Sequence, residues 1–163
     1  MANAKVGSAA SYTGNVVETI TAVKTLSHSD SGKIFDVTAG DFAINLPQAT
    51  ANNVGLNYRF IITTGSTSAL TIDSYEANDL YYGGLVSVTG IVASTSNATN
   101  GRFYQPDGSD DNTLTLDNNL GGNGLDKGSD FTFTCIAENK WWVGGYVMIS
   151  AAEDDQTDIA PFS

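Results

Sequence analysis

Apolar and polar residues alternate in short runs along much of this chain, and turn-forming residues separate the runs. In DFAINLP, Phe42, Ile44 and Leu46 fall on one face of an extended segment, and Pro47 ends it because proline cannot donate a hydrogen bond to a neighbouring strand. The runs FTFTCIA and WWVGGYVMIS flank the turn-forming residues ENK, a pattern typical of a β-hairpin. Runs of this kind predict about nine short strands.

These runs predict one all-β domain, built as a β-sandwich or a jelly roll. We place the domain at residues 15–150, between a flexible N-terminal arm at residues 1–14 and a short acidic C-terminal tail at residues 151–163. Phe162 is the large apolar residue of that tail and could dock on the domain. Alternation is imperfect in residues 15–27, where a short helix is the alternative to a strand.

The composition supports a folded chain and narrows its partners. Hydrophobic residues make up 41% of the 163 residues, too much apolar material for a disordered chain. The net charge of −11 repels phosphate backbones, which argues against nucleic-acid binding. The N-terminal residues lack the apolar core of a signal peptide, and no stretch approaches the roughly 20 apolar residues of a membrane span. We therefore expect neither nucleic acid nor membrane as a partner.

Two stretches resemble parts of calcium-binding motifs. GGNGLD at 121–126 fits the start of the nonapeptide repeat G-G-x-G-x-D, but Gly128 stands where a large apolar residue is needed, and a single copy cannot form a site between successive repeats. DGSDDN at 107–112 has oxygens at the first, third and fifth positions of an EF-hand loop, but Asn112 and Asn118 replace the required glycine and glutamate. We predict no dedicated metal site, with adventitious calcium binding at 107–112 as the alternative.

Residue types that carry catalysis are scarce or poorly placed. SDSGK at 29–33 looks like the end of a phosphate-binding loop, but Ser27 and Ile34 stand where glycine and a hydroxyl residue are required. His28 is the single histidine, so no second imidazole exists for a zinc site. Cys135 alternates with two phenylalanines, which is typical of a buried cysteine. The 18 carboxylates could contain a glycosidase pair, but no spacing indicates one. We predict no enzyme, no catalytic residue and no cofactor.

Trp141 and Trp142 are adjacent, and consecutive residues of a strand point to opposite faces. The two rings therefore cannot form one sugar-stacking platform. We expect one ring in the core and the other at the surface, where a subunit contact is the favoured role.

An ordered set of fragments runs through much of the chain. TLSHSDSGKIFDVTAGDFAINLP and GLNYRF follow the order T-L-x-x-x-D-S-G-K-x-F, x-I-x-L-P and G-x-x-Y-x-F. The later run GSDFTFTCIAENKWWVGGYV has the form of a closing hairpin, with Ser129 inserted between Gly128 and Asp130. In this order the fragments resemble tailed-bacteriophage head decoration proteins, also called capsid cement proteins. The resemblance covers about residues 25–70 and 127–147, and its matching residues are Thr25, Leu26, Asp30, Ser31, Gly32, Lys33, Phe35, Ile44, Leu46, Pro47, Gly55, Tyr58, Phe60, Asn139, Trp141, Val143 and Gly144.

The resemblance implies a non-enzymatic virion protein that is made in the host cytoplasm and binds the outer surface of the capsid. It implies a β-rich domain that forms a homotrimer and clamps neighbouring major capsid protein subunits, with the N-terminal arm adding contact area. Similar segments appear in phage tail and fibre modules. A fibre or receptor-binding module that binds glycans is therefore the alternative.

Overall fold

The computed structural model describes residues 16–66, 68–89, 102–117, 125–149 and 161–163. Within these ranges the chain forms eleven strands and two short 3₁₀ turns. The turns are His28–Asp30 and Ala51–Asn53. The strands are β1 (Val17–Ile20), β2 (Lys24–Thr25), β3 (Ile34–Val37), β4 (Phe42–Asn45), β5 (Asn57–Ile62), β6 (Leu70–Asp73), β7 (Leu80–Thr89), β8 (Arg102–Tyr104), β9 (Thr113–Leu116), β10 (Asp126–Ala137) and β11 (Lys140–Ile149).

The strands form two sheets, which confirms the all-β prediction. The seven-stranded sheet has the order β1-β3-β5-β10-β11-β7-β8, and the four-stranded sheet has the order β2-β4-β6-β9. The segment for which a helix was the alternative forms β1 and β2, so the helix is wrong there. The predicted arm at residues 1–14 and residues 151–160 of the predicted tail lie outside the described residues.

The first six strands wind between the two sheets. β1, β3 and β5 lie side by side in one sheet, while β2, β4 and β6 lie side by side in the other. Every neighbouring pair among these six strands is parallel. Each turn of the chain therefore adds one strand to each sheet, as in a short parallel β-coil. The strands of the larger sheet begin at Val17, Ile34 and Asn57, so the turns differ in length.

This winding does not confirm the jelly-roll part of the prediction. Five of the nine strand pairings among the described residues are parallel. A jelly roll is built from antiparallel strands instead. The antiparallel pairs are β5–β10, β10–β11, β7–β8 and β6–β9.

A shared core receives side chains from both sheets. Phe35, Phe60 and Phe131 are cross-strand neighbours in β3, β5 and β10, and successive ring centroids are 5.4 and 5.5 Å apart. Tyr81 of β7 donates its hydroxyl to the carbonyl of Ile72 in β6, at 2.9 Å. Aromatic stacking and apolar burial therefore join the parallel strands to the hairpin and one sheet to the other.

The SDSGK segment forms an ionic corner ahead of β3. Asp30 Oδ2 accepts hydrogen bonds from the Ser27 amide at 2.9 Å and the Ser27 hydroxyl at 2.8 Å. Lys33 Nζ lies 2.6 Å from Asp30 Oδ1 and 3.0 Å from Glu18 Oε2. Burial raises the pKa of Asp30, but the hydrogen bonds from Lys33 and Ser27 outweigh it, so the pKa falls to about 2. The residues that look like a phosphate-binding loop thus hold β1 and β3 together.

The predicted hairpin is confirmed by β10 and β11, which pair antiparallel with Phe133 opposite Val143 and Cys135 opposite Trp141. Asn139 makes the turn with a φ of 57°, a left-handed conformation that asparagine tolerates better than most residues.

Pro161–Ser163 cover one edge of the four-stranded sheet. Phe162 forms an antiparallel bridge with Leu114 and is buried, with its ring 6.3 Å from that of Tyr81. The carbonyl of Ser163 accepts hydrogen bonds from the amides of Asn112 and Thr113, at 2.9 and 2.8 Å. Phe162 therefore docks on the domain, and its ring becomes part of the core.

Candidate interaction surface

The outer face of the seven-stranded sheet divides into two halves of different chemistry. The polar half consists of the outward side chains of β1, β3, β5 and β10. Arg59 lies 2.5 Å from Asp130 in an exposed ion pair. Asn57 Nδ2 donates to Thr134 Oγ1 at 2.7 Å. Polar groups on this half thus bind one another across the strands, although apolar Val17, Ile34 and Ile61 lie among them.

The aromatic half consists of the outward side chains of β11, β7 and β8. Parallel pairing aligns Trp142 with Tyr82 and Tyr146 with Val86, and antiparallel pairing places Phe103 opposite Val86. Trp142 is 50% exposed and Phe103 is 61% exposed. The half comprises Tyr82, Val86, Val88, Phe103, Trp142, Tyr146 and Met148, with Gly84 and Gly144 between them.

Glycines let two of these rings lie against the backbone. A Cβ atom at Gly83 would lie 2.9 Å from Trp142 Cε2 and 2.2 Å from the Val143 carbonyl oxygen. A Cβ atom at Gly84 would lie 2.6 Å from Phe103 Cζ. Both glycines have positive φ, at 96° and 155°. The Gly83-Gly84 pair therefore makes room for the rings beside the backbone of β7.

No carboxylate is among the outward side chains of the aromatic half, although the chain carries 18 in all. Lys140 begins β11 opposite Leu80, at one end of the aromatic half, and its Nζ lies 5.2 Å from the centroid of the Tyr82 ring. Such a cation–π contact holds the ring at the margin of the half. The aromatic half thus presents no carboxylate of its own, and Asp126 and Asp130 of β10 lie at its border, opposite Met148 and Tyr146.

The two tryptophans separate as predicted. Trp141 is fully buried, with its ring centroid 5.8 Å from that of Tyr58. Trp142 is half exposed on the outer face. The expected subunit contact of the exposed ring stays a prediction.

The acidic stretch at 107–112 brings three carboxylates together. One oxygen from each of Asp107, Asp110 and Asp111 lies within 4.8 Å of the others. Asp107 Oδ1 accepts hydrogen bonds from the amide and hydroxyl of Ser109, at 2.7 and 2.6 Å. The hydroxyl and amide bonds from Ser109 lower the pKa of Asp107. The hydrogen bonds between Ser109 and Asp107 therefore stabilise this turn without a metal ion. Adventitious calcium binding at 107–112 stays a prediction.

The remaining residues considered from the sequence are His28, Cys135 and the GGNGLD stretch. His28 Nε2 contacts Asn53 Oδ1, which ties the first 3₁₀ turn to the second. Cys135 is buried, as predicted, and burial raises the pKa of its thiol. Of the GGNGLD stretch, residues 121–124 lie outside the described residues, while Leu125 is fully buried. Gly128 has a φ of 99° and lies in β10.

Asp79 is a fully buried carboxyl that sequence reasoning missed. Its Oδ2 accepts a hydrogen bond from the Ala49 amide at 3.0 Å, and its Oδ1 has no hydrogen-bond partner among the described residues. Burial raises the pKa of this carboxyl, and the nearby Glu76 adds to the effect. The surrounding YEANDL shows no apolar alternation, so nothing in the sequence marks the position as buried.

The chain matches no protein-family profile, no curated protein and no solved structure. In the part of the chain that the structure describes, no helix is long and apolar enough to cross a membrane. The function is therefore inferred from the ordered sequence pattern and from the chemistry of the surface.

Proposed function

We propose that this chain is a non-enzymatic structural protein of a bacteriophage virion. It binds major capsid protein subunits on the outside of the assembled head and stabilises the shell, as a homotrimer. In this proposal the two sheets form a sandwich, which the Tyr81–Ile72 hydrogen bond between them supports.

The observation that carries the proposal is the ordered run of residues shared with head decoration proteins. Leu26, Phe35 and Ile44 from that run are buried, as are Leu46, Tyr58 and Phe60. Asp30 and Lys33 form the ionic corner. The resemblance therefore lies in residues that build the framework, and in the parallel coil it runs from the end of β2 to the start of β6.

The charge of the chain also suits this role. A net charge of −11 favours a surface that faces solvent rather than packaged DNA. A protein that binds only the assembled lattice stabilises that lattice by mass action, without any chemistry of its own.

The decisive experiment adds purified chain to phage heads that lack decoration. We expect saturable binding and a thermal transition of the heads that rises with chain concentration. An unrelated acidic protein of similar size is the control for non-specific stabilisation. Absence of binding to heads, combined with binding to host cells, would overturn the proposal.

Deletion of residues 1–14 tests the expected contribution of the arm. If the arm adds contact area on the capsid, the shortened chain binds heads more weakly while its oligomeric state is unchanged. Equal head affinity of the shortened and full chains would remove this role from the arm.

A second candidate is a glycan-binding fibre or receptor-binding module. The half-exposed ring of Trp142 favours it, because aromatic faces stack on sugars. A glycan array separates the two candidates: saturable binding to a defined saccharide, with none to heads, would favour the fibre module.

A further inference from the structure

We propose that the aromatic half is the surface through which copies of this chain associate with one another. The inference deepens the proposed function and rests on it, because a homo-oligomeric virion protein needs such a surface. It assigns the self-contact to the outward side chains of β11, β7 and β8, and leaves the other surfaces for the capsid.

The composition of the aromatic half matches the centre of a protein interface. Interface centres are enriched in Trp, Tyr, Phe and Met and are depleted in Asp, Glu and Lys. Trp142, Tyr146 and Phe103 are 50%, 42% and 61% exposed, and Val86 lies between the last two. Removing these side chains from water is favourable in proportion to their apolar area.

Charge favours the same surface over the other half of the sheet. Two copies of a chain with a net charge of −11 repel each other, and that repulsion is strongest where carboxylates face one another. The polar half presents Asp36 and Asp130, while the aromatic half presents no carboxylate. The carboxylates that border the aromatic half are Asp126 and Asp130 of β10, and Asp130 is paired with Arg59. A contact centred on Val86 and Phe103, two and three strands away from β10, therefore keeps most acidic groups of neighbouring copies apart.

The size of the aromatic half is adequate for the centre of an interface. Two ten-residue strands and the short β8 cover about 400 Å² in plan, at roughly 3.3 Å per residue and 4.8 Å per strand. A standard interface takes roughly 800 Å² from each partner, and its central contacts are surrounded by a rim that excludes water. Thr132 and Thr134 of the neighbouring β10 lie where such a rim is expected.

The neighbours of the rings favour a protein partner over a saccharide. A sugar stacks one face on a ring and needs polar side chains beside it for its hydroxyl groups. Phe103 lies opposite Val86 and against Gly84, which offer no such side-chain groups. The polar side chains opposite Tyr146 and Trp142 are Asp130 and Thr134, which are already bound to Arg59 and Asn57. Because Trp142 and Phe103 lie against glycine backbone, little side-chain freedom is lost when a flat apolar partner covers them.

Sedimentation of two valine variants tests the proposal. Val86 and Val17 are both exposed on the outer face of the same sheet, at 42% and 59%, in the aromatic and polar halves respectively. We expect Val86→Glu to weaken association by about a hundredfold or more, because the contact would bury a carboxylate. Val17→Glu adds the same charge and serves as the matched control, so its association stays within about threefold of the natural chain.

Acrylamide quenching of tryptophan fluorescence locates the contact. Trp141 is fully buried, so the quenchable signal comes from Trp142. In the associated natural chain and in Val17→Glu, we expect Trp142 to be protected, and in Val86→Glu we expect it to be accessible. A Trp142→Phe variant gives the background from Trp141. Protection that follows the oligomeric state supports the proposal.

Three outcomes overturn it: a natural chain that stays monomeric at high micromolar concentration, association that Val86→Glu leaves intact, or an oligomer in which Trp142 stays accessible. Protection of Trp142 by a saccharide in a monomeric chain would assign the surface to glycans instead. Binding of monomers to heads would overturn this inference and the trimeric state, and would leave the proposed capsid binding standing. Association through the aromatic half without head binding would support this inference and overturn the proposed capsid binding.

Discussion

The two halves of the outer face belong to one sheet and cover one core, yet they are held in different ways. On the polar half, ionic and hydrogen-bonding side chains bind one another, as in the Arg59–Asp130 pair. On the aromatic half, rings lie against glycine backbone, as Trp142 does at Gly83. The stability of the polar half therefore depends on charge, and so on pH and salt. The stability of the aromatic half depends on how closely its rings fit the backbone. A single sheet can thus carry one surface whose polar groups bind one another and a second surface that is open to a partner.

The largest expected effect comes from filling a glycine position of the aromatic half. Gly83→Ala adds a Cβ atom 2.2 Å from the Val143 carbonyl oxygen at a residue with a φ of 96°, so we expect a loss of about 3 kcal/mol or more in the free energy of unfolding. Gly32 has a φ of 82° with nothing within 4 Å of the added atom, so Gly32→Ala should lose only about 1 kcal/mol. Urea unfolding of both variants measures the difference. Equal losses would show that close packing is not what distinguishes the aromatic half.

The next effect concerns the ionic corner that joins β1 to β3. The folded pKa of Asp30 is about 2, below its ordinary 3.8, so its contribution is present above pH 4 and is lost as the pH falls toward 2. We expect Asp30→Asn to lower the free energy of unfolding by about 2 kcal/mol at pH 7 and to have little effect near pH 2. Urea unfolding across this pH range provides the measurement. A loss that does not change with pH would contradict the ionic explanation.

Asp79 lies just before β7, and its contribution to the free energy of unfolding should change with pH in the direction opposite to that of Asp30. Its folded pKa is raised by burial, so the natural chain loses stability as the pH rises from the ordinary 3.8 through the folded pKa. Asp79→Asn retains an oxygen for the Ala49 amide and does not titrate. Its stability relative to the natural chain should therefore increase between pH 4 and pH 7. Thermal melts of both chains at these two pH values test the sign, and a relative decrease would contradict it.

The smallest effect is expected on the exposed surface of the polar half. Arg59 is 46% exposed in its pair with Asp130, and exposed ion pairs contribute about 0.2–1 kcal/mol. A double-mutant cycle of Arg59→Ala and Asp130→Ala should give a coupling free energy in that range, and 1 M salt should reduce it. A coupling above about 2 kcal/mol would show that the pair is less exposed to solvent than its surface position implies.

Much of the local structure could be predicted from alternation. Phe42, Ile44 and Leu46 indicated the β4 region, the ENK turn indicated the β10–β11 hairpin, and adjacent tryptophans had to point to opposite faces. The parallel winding could not be predicted in this way, because a half-buried strand alternates equally whether its neighbour is parallel or antiparallel. The unequal lengths of the turns also hide any fixed repeat.

The aromatic half was only partly predictable. The exposed ring of Trp142 follows from alternation, but its neighbours come from strands far away in sequence and require the register between β11, β7 and β8. Gly83 and Gly84 interrupt the strand composition near the start of β7, so alternation alone does not indicate where this strand begins. No pattern in the sequence indicates that Asp79 is buried, because the burial of a carboxyl just before a strand depends on the residues that pack over it.

The stacked rings of Phe35, Phe60 and Phe131 run beneath the boundary between the parallel coil and the hairpin. Because each ring is buried against the next, neither part can open without exposing an aromatic surface that the other part was covering. The three stacked rings therefore make unfolding cooperative. We expect the calorimetric and van 't Hoff enthalpies of unfolding to agree. The parallel coil and the hairpin therefore unfold together, although the outer face above them is divided into two chemically different surfaces.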